Sequence, residues 1–132
     1  MSSAEREMDR TSRRQRALVV DDVATERERM TGILRDAGWQ VGTAGSGLEA
    51  LARARVERPD IIFMDIVMPE MDGFEACRRL AEDPGTRSIP VVFVSTKSRR
   101  ADQLWARMQG GRELIAKPYT ATQLLDALRH AR

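Results

Sequence analysis

Residues 61–74 read IIFMDIVMPEMDGF, and their pattern decides the fold. Apolar, β-favouring residues run without a polar break from Ile61 to Met64 and stop at a carboxylate, Asp65. A strand that is apolar on both faces belongs in a parallel sheet covered by helices on each side, because a half-solvated strand would alternate. Pro69 and Gly73 then bracket a loop, and Phe74, Cys77 and Ala81 recur at helical spacing. The stretch is one strand–loop–helix unit of a layered α/β fold, and its strand ends in an acid.

The same unit repeats on either side. Upstream, ALVV at 17–20 ends in Asp21 and Asp22, and Thr25 with Glu28 forms a capping-box signature before Met30, Ile33, Leu34 and Ala37. Gly38 closes that helix, QVGTA at 40–44 is a more polar strand, and Leu48, Leu51, Ala52 and Val56 mark a second helix that Pro59 ends. Downstream of a turn at Pro84–Gly85, PVVFVS at 90–95 is another buried strand, and Leu104, Trp105 and Met108 predict a fourth helix. ELIA at 113–116 is a short strand before Lys117 and Pro118, and Leu124, Leu125 and Leu128 predict a last helix running to the C-terminus. The sum is (βα)5. The polar second and fifth strands belong at edges; right-handed crossovers make a doubly wound parallel sheet, and the edge placement favours the order 2-1-3-4-5 known for such folds.

Composition narrows the function. With 42% apolar residues and 22 basic against 20 acidic residues, the chain is neither disordered nor built for a polyanion, so no nucleic-acid partner is expected. A chain of 132 residues fits one domain. Residues 1–16, MSSAEREMDRTSRRQR, offer little to bury and no apolar stripe, so a flexible N-terminal tail is expected before a domain over 17–132. Cys77 has no partner for an internal disulfide, no apolar stretch approaches the ~18 residues of a membrane span, and the N-terminus lacks the apolar core of a secretory signal. These features predict a soluble, cytoplasmic protein.

In an open α/β sheet the ligand site lies beyond the C-terminal strand ends, where the strand order reverses. There the sequence gathers Asp21 and Asp22 after the first strand and Asp65 after the third, three carboxylates that would repel unless a cation neutralised them. An all-oxygen ligand set with room for water suits Mg²⁺, or Mn²⁺ in its place. Ser95 ends the fourth strand and Lys117 follows the fifth, adding a hydroxyl and a compact ammonium. Of the 22 basic residues 20 are Arg, so a Lys at this rim points to a positional requirement. Carboxylates, a metal, a hydroxyl and an ammonium together describe phosphoryl transfer, with Asp65 as the nucleophile.

These residues resemble the receiver domains of bacterial response regulators: an acidic pair after the first strand, MDIVMPEMDGFE around the acceptor, Ser95 after the fourth strand and Lys117–Pro118 after the fifth. The resemblance implies a flavodoxin-like, CheY-like fold and phosphorylation of Asp65 by a sensor histidine kinase. It implies Mg²⁺ held by Asp21, Asp22, Asp65 and the Val67 carbonyl, a switch hydroxyl at Ser95, and a phosphoryl contact at Lys117. It further implies a single-domain regulator, not an enzyme, that signals by protein contact through the surface of its fourth helix, fifth strand and fifth helix, including Trp105, Arg112, Leu114 and Tyr119. Leu114 stands at the switch position where many members carry Tyr or Phe, which departs from an aromatic flip. Val67 and Lys97 occupy the positions by which the family sets its hydrolysis rate; Val67 cannot orient a water, so a long-lived phosphorylated form is expected. More narrowly, residues 94–119, VSTKSRRADQLWARMQGGRELIAKPY, are similar to PilH-type regulators of the type IV pilus chemotaxis-like pathway.

Two rival readings of the site stand beside this one. Gly45-Ser46-Gly47-Leu48-Glu49-Ala50 fits the dinucleotide fingerprint, with Asp65 about 20 residues on, although its strand is weak and the other rim residues would go unexplained. A receiver-like module that binds without phosphorylation keeps the fold and drops the chemistry. If the chemistry holds, a phosphate sink that drains a shared kinase is an alternative to a messenger. Among the remaining residues, Phe74 and Cys77 are expected on a core face, Tyr119 in packing, His130 exposed, and Trp105 in either packing or contact.

Overall fold

The computed structural model describes residues 15–132, so all but the last two residues of the expected tail lie outside the described part. Strand β1 (Arg16–Val20) pairs in parallel with β2 (Gln40–Ala44) on one side and with β3 (Ile61–Met64) on the other. Strands β4 (Val91–Ser95) and β5 (Glu113–Ala116) extend the sheet past β3, giving the order β2-β1-β3-β4-β5 that the sequence predicts. The crossovers are α1 (Ala24–Asp36), α2 (Gly47–Glu57), α3 (Gly73–Glu82) and α4 (Arg100–Met108); α5 (Ala121–Asp126) follows β5.

Alternation along the strands divides the core in two. Leu18, Val20, Ile62, Met64, Phe93 and Leu114 face α2, α3 and α4, where Phe74 meets Phe93 edge-on with ring centroids 5.3 Å apart. On the opposite face, Val19, Phe63, Val92 and Ile115 pack with Met30, Leu34 and Leu124 of α1 and α5. Phe74, Cys77 and Tyr119 are buried as expected, and Gly38 ends α1 with φ +92°.

The helices depart from the sequence reading in instructive ways. The capping box at Thr25 and Glu28 does not form: α1 begins at Ala24, and the carboxylate of Asp21 accepts from the Val23 amide at 2.9 Å. In α2 the buried face is Gly47, Ala50 and Ala54, while Leu48 and Val56 are exposed; small side chains let this helix lie close to the sheet. In α3 the buried set with Phe74 and Cys77 is Ala76 and Leu80, and Ala81 is exposed. Helix α4 buries Ala106 and turns Leu104, Trp105 and Met108 outward. The last helix tightens to a 3₁₀ turn over Ala127–His130, and His130, expected exposed, lies half-buried with Nε2 3.0 Å from Glu113 Oε2.

Gly73 ties the fold to the rim. Its amide donates to the Ile66 carbonyl at 2.8 Å, and a Cβ there would overlap the carbonyl oxygen of Asp65 and press on Ile66 Cα. Gly73→Ala is therefore expected to destabilise the protein by about 2 kcal/mol or more. Gly32→Ala, whose Cβ meets nothing within 4 Å, is expected to be neutral or to stabilise by up to ~1 kcal/mol. Chemical denaturation of the two variants checks the contrast.

Candidate functional site

The parallel register sets the site. Val20 pairs with Met64, so the residues that follow, Asp21 and Asp65, leave adjacent strands at the same level. Both backbones are anchored there: the Asp21 amide donates to the Ala44 carbonyl at 3.1 Å and the Asp65 amide to the Val20 carbonyl at 3.0 Å. Asp22 joins them, and the three side chains each offer an oxygen within 4.8 Å of the others. Asp21 is fully buried, Asp65 nearly so, and Asp22 is exposed.

Lys117 reaches this cluster from beyond β5, held by its amide on the Ser95 carbonyl at 3.0 Å and followed by a cis bond to Pro118. Its Nζ lies 2.7 Å from Asp21 Oδ2, 3.0 Å from Asp65 Oδ2 and 3.7 Å from Glu26 Oε2. The second oxygen of Asp65 accepts from the Val67 amide at 3.2 Å. Burial raises the Asp21 carboxyl above its ordinary value, and the bonds from Lys117 and Val23 do not fully offset it. Burial would lower the Lys117 ammonium, but its bonds to Asp21 and Asp65 outweigh that and raise it. Among the described residues Lys117 makes every ion pair to these aspartates, so the rim carries more negative than positive charge. A compact all-oxygen cluster with one exposed member fits a hydrated, hard divalent cation.

The remaining expected residues fall into place unevenly. Ser95 is fully buried, and its hydroxyl oxygen accepts from the Lys97 amide at 3.2 Å; among the described residues it makes no hydrogen bond to the acidic cluster. The Val67 side chain is exposed two residues beyond Asp65. Leu114 is buried opposite Phe93, within the core on the α2–α4 side and not at the rim.

Two residues escaped the sequence reading. Glu26 stands beside Lys117, and the Arg27 guanidinium donates to the Asp21 carbonyl at 2.6 Å. Their signal was position, about one helical turn beyond the acidic pair, but first-turn charges on a helix have ordinary explanations. The glycine motif at 45–50 has a local account: Ser46 accepts from the Glu49 amide at 3.1 Å, and Glu49 Oε2 accepts from the Gly45 amide at 2.9 Å. That amide holds the Glu49 carboxyl below its ordinary value. A Cβ on Gly47 would crowd Met71, so the glycine serves packing, and the amides of Gly45 and Glu49 are engaged by the loop's own side chains.

Breaking the Lys117 contacts strands buried charge. Lys117→Met is expected to cost the metal-free protein about 3 kcal/mol near neutral pH. Because the folded-state pKa of Lys117 is raised, its contribution is fully present below the ordinary value of 10.5 and is lost as pH rises through the higher folded value. Thermal melts of the two proteins should therefore differ by a constant gap at neutral pH that closes in strong alkali.

Comparison with known proteins agrees with this geometry. Residues 17–129 match the response regulator receiver domain family. PilH of Pseudomonas aeruginosa is 42% identical over 86% of this chain and 93% of its own length, and PilG of the same organism is 33% identical over 86% and 84%. PleD of Caulobacter vibrioides is 39% identical over 86% of this chain but 25% of its own length. Among solved structures, the Vibrio cholerae chemotaxis protein CheY4 superposes with a TM-score of 0.85 at 30% identity, covering 91% of this chain and all of CheY4. Among the described residues no helix is long and apolar enough to cross a membrane. With the family match spanning nearly every strand and helix just described, the chain belongs to the response regulator receiver-domain family of two-component signalling.

Proposed function

We propose that this chain accepts a phosphoryl group on Asp65 from the phosphohistidine of a sensor histidine kinase and passes the signal on by protein contact. One observation carries the reading: the Asp65 carboxylate sits among acids at the strand ends with one oxygen on Lys117 and the other on the Val67 amide. The domain is taken as 17–132, with 1–16 as an N-terminal tail, and on this reading the chain works in the cytoplasm. The likeness to PilH, PilG and a chemotaxis protein supports a place in chemotaxis-like or type IV pilus signalling.

Asp21, Asp22, Asp65 and the Val67 carbonyl would hold Mg²⁺, with Mn²⁺ able to substitute. Such an ion offsets charge on the phosphoryl oxygens. The chain's own residues do the rest. Asp65 supplies the nucleophilic oxygen, and the Val67 amide and Lys117 fix its direction. Once Asp65 is an acyl phosphate, its weakened hold on Lys117 frees that ammonium for the phosphoryl group. The Ser95 oxygen already accepts from the Lys97 amide, which leaves its O–H proton available to a phosphoryl oxygen. With Leu114 aliphatic and buried, the switch works through backbone and hydroxyl and not through an aromatic flip.

The output face also follows from exposure. Leu114 and Tyr119 are buried, Tyr119 under the Arg29 guanidinium at 4.9 Å, so neither presents a contact. Leu104, Trp105 and Met108 on α4 are the exposed apolar residues there, and Arg112 is exposed nearby. We assign partner contact to this α4 surface. Messenger and phosphate sink share all of this chemistry.

Intact-mass spectrometry after treatment with acetyl phosphate or a phosphohistidine donor, with Mg²⁺ or EDTA, tests the reading. The expected result is one added phosphoryl group that requires Mg²⁺ and is absent in Asp65→Ala, with an adduct that outlasts seconds because Val67 cannot orient a water. No adduct with any donor would instead favour a module that binds without phosphorylation.

A further inference from the structure

Glu26 is unexplained by the chemistry above. It lies in the first turn of α1, where an acid favours the helix dipole, but that role needs no contact with a residue beyond β5. Its carboxylate nevertheless lies 3.7 Å from Lys117 Nζ, the atom that also touches Asp21 and Asp65. The Glu26 side chain is 36% exposed, so it stands at the solvent side of an ammonium that is itself 10% exposed. With Asp21 and Asp65 it is the third carboxylate within 4 Å of one ammonium, and Asp22 adds a further acid to the cluster. Anything that brings phosphoryl oxygens to Asp65 and Lys117 meets this extra charge.

We propose that Glu26 is a positioning and charge-filtering residue: by engaging Lys117 from the solvent side, it opposes the approach of phosphoryl anions to Asp65 and disfavours small dianionic donors. The inference rests on Asp65 as the acceptor. With acetyl phosphate, the Asp65 O–P bond forms as the donor's acyl O–P bond breaks, and acetate leaves with the electron pair. With phosphoramidate, whose nitrogen is already protonated at neutral pH, the Asp65 O–P bond forms as the P–N bond breaks and ammonia leaves with the electron pair. At neutral pH acetyl phosphate is a dianion and phosphoramidate carries one net negative charge, so a fixed carboxylate penalises the first more. Charges several ångströms apart in a high-dielectric, partly screened setting change a rate by about threefold to tenfold.

The test measures phosphorylation rates of the full chain with both donors, in Mg²⁺, for wild type, Glu26→Gln and Glu26→Asp, at low and high salt. Glu26→Gln is expected to raise the acetyl phosphate rate about threefold to tenfold at low salt and the phosphoramidate rate less, with the gap closing at high salt. Glu26→Asp, which keeps the charge, should retain the wild-type donor ratio. That ratio does not depend on the fraction of protein that is folded, so a loss of stability cannot mimic the result. An active wild type whose donor ratio is unchanged in Glu26→Gln, or unchanged by salt, overturns the filter alone. A wild type inert to both donors and to a phosphohistidine brings down the acceptor reading and the filter with it.

Discussion

The rim of this sheet depends on one ammonium. Lys117 Nζ is shared by Asp21 and Asp65, residues that leave two different strands, while Lys117 itself follows a third. Like charges this close raise one another's free energy, and a buried carboxylate without a partner would cost several kcal/mol. The ammonium offsets that only in part: burial still raises the Asp21 carboxyl above its ordinary value. A site left in that condition favours any further cation and would respond strongly to the loss of charge on one of its carboxylates.

The fold supplies the precision that this arrangement needs. Parallel pairing fixes Asp21 and Asp65 at one level, and Gly73 lets the start of α3 press against the backbone of Asp65 and Ile66. The two apolar layers on either side of the sheet, anchored by Phe63 and Phe93, hold the strands rigidly enough for side chains from distant parts of the chain to meet within 3 Å. The charge gathered at the rim is thus held in place by packing below it.

Strand order and the clustering of Asp21, Asp22, Asp65 and Lys117 were legible in the sequence, because continuous apolar runs and their polar ends survive any detail of packing. Helix faces were less so. In α2 the helical spacing marks Leu48 and Val56 and in α4 Leu104 and Met108, yet these four are exposed and Ala50, Ala54 and Ala106 take buried positions. A stripe of leucines signals burial only when the space beneath it is deep, and here close helix–sheet contact selects small side chains. The start of α1 was misread for a related reason: Asp21, a site residue, accepts from the Val23 amide. Glu26 was invisible because its partner lies far along the chain, and no periodicity reports such a contact.

The same contacts suggest how a change at Asp65 travels. The Ser95 hydroxyl oxygen holds the Lys97 amide; the Lys97 ammonium lies 3.9 Å from Asp102 Oδ1; and Asp102 Oδ2 accepts from the Arg99 amide at 2.9 Å, at the start of α4. If Ser95 turns toward new phosphoryl oxygens, the Lys97 backbone must follow or lose its acceptor, and the helix start is within two contacts of that step. A coupling path has physical content when an element has two arrangements that the site biases. In the β4–α4 segment, α4 buries little beyond Ala106 and so resists displacement weakly, while the apolar residues it would carry, Leu104, Trp105 and Met108, already face solvent. A helix held by a small apolar contact and bearing a large exposed one can reposition its surface at low cost, which is the property a phosphorylation-driven interface requires.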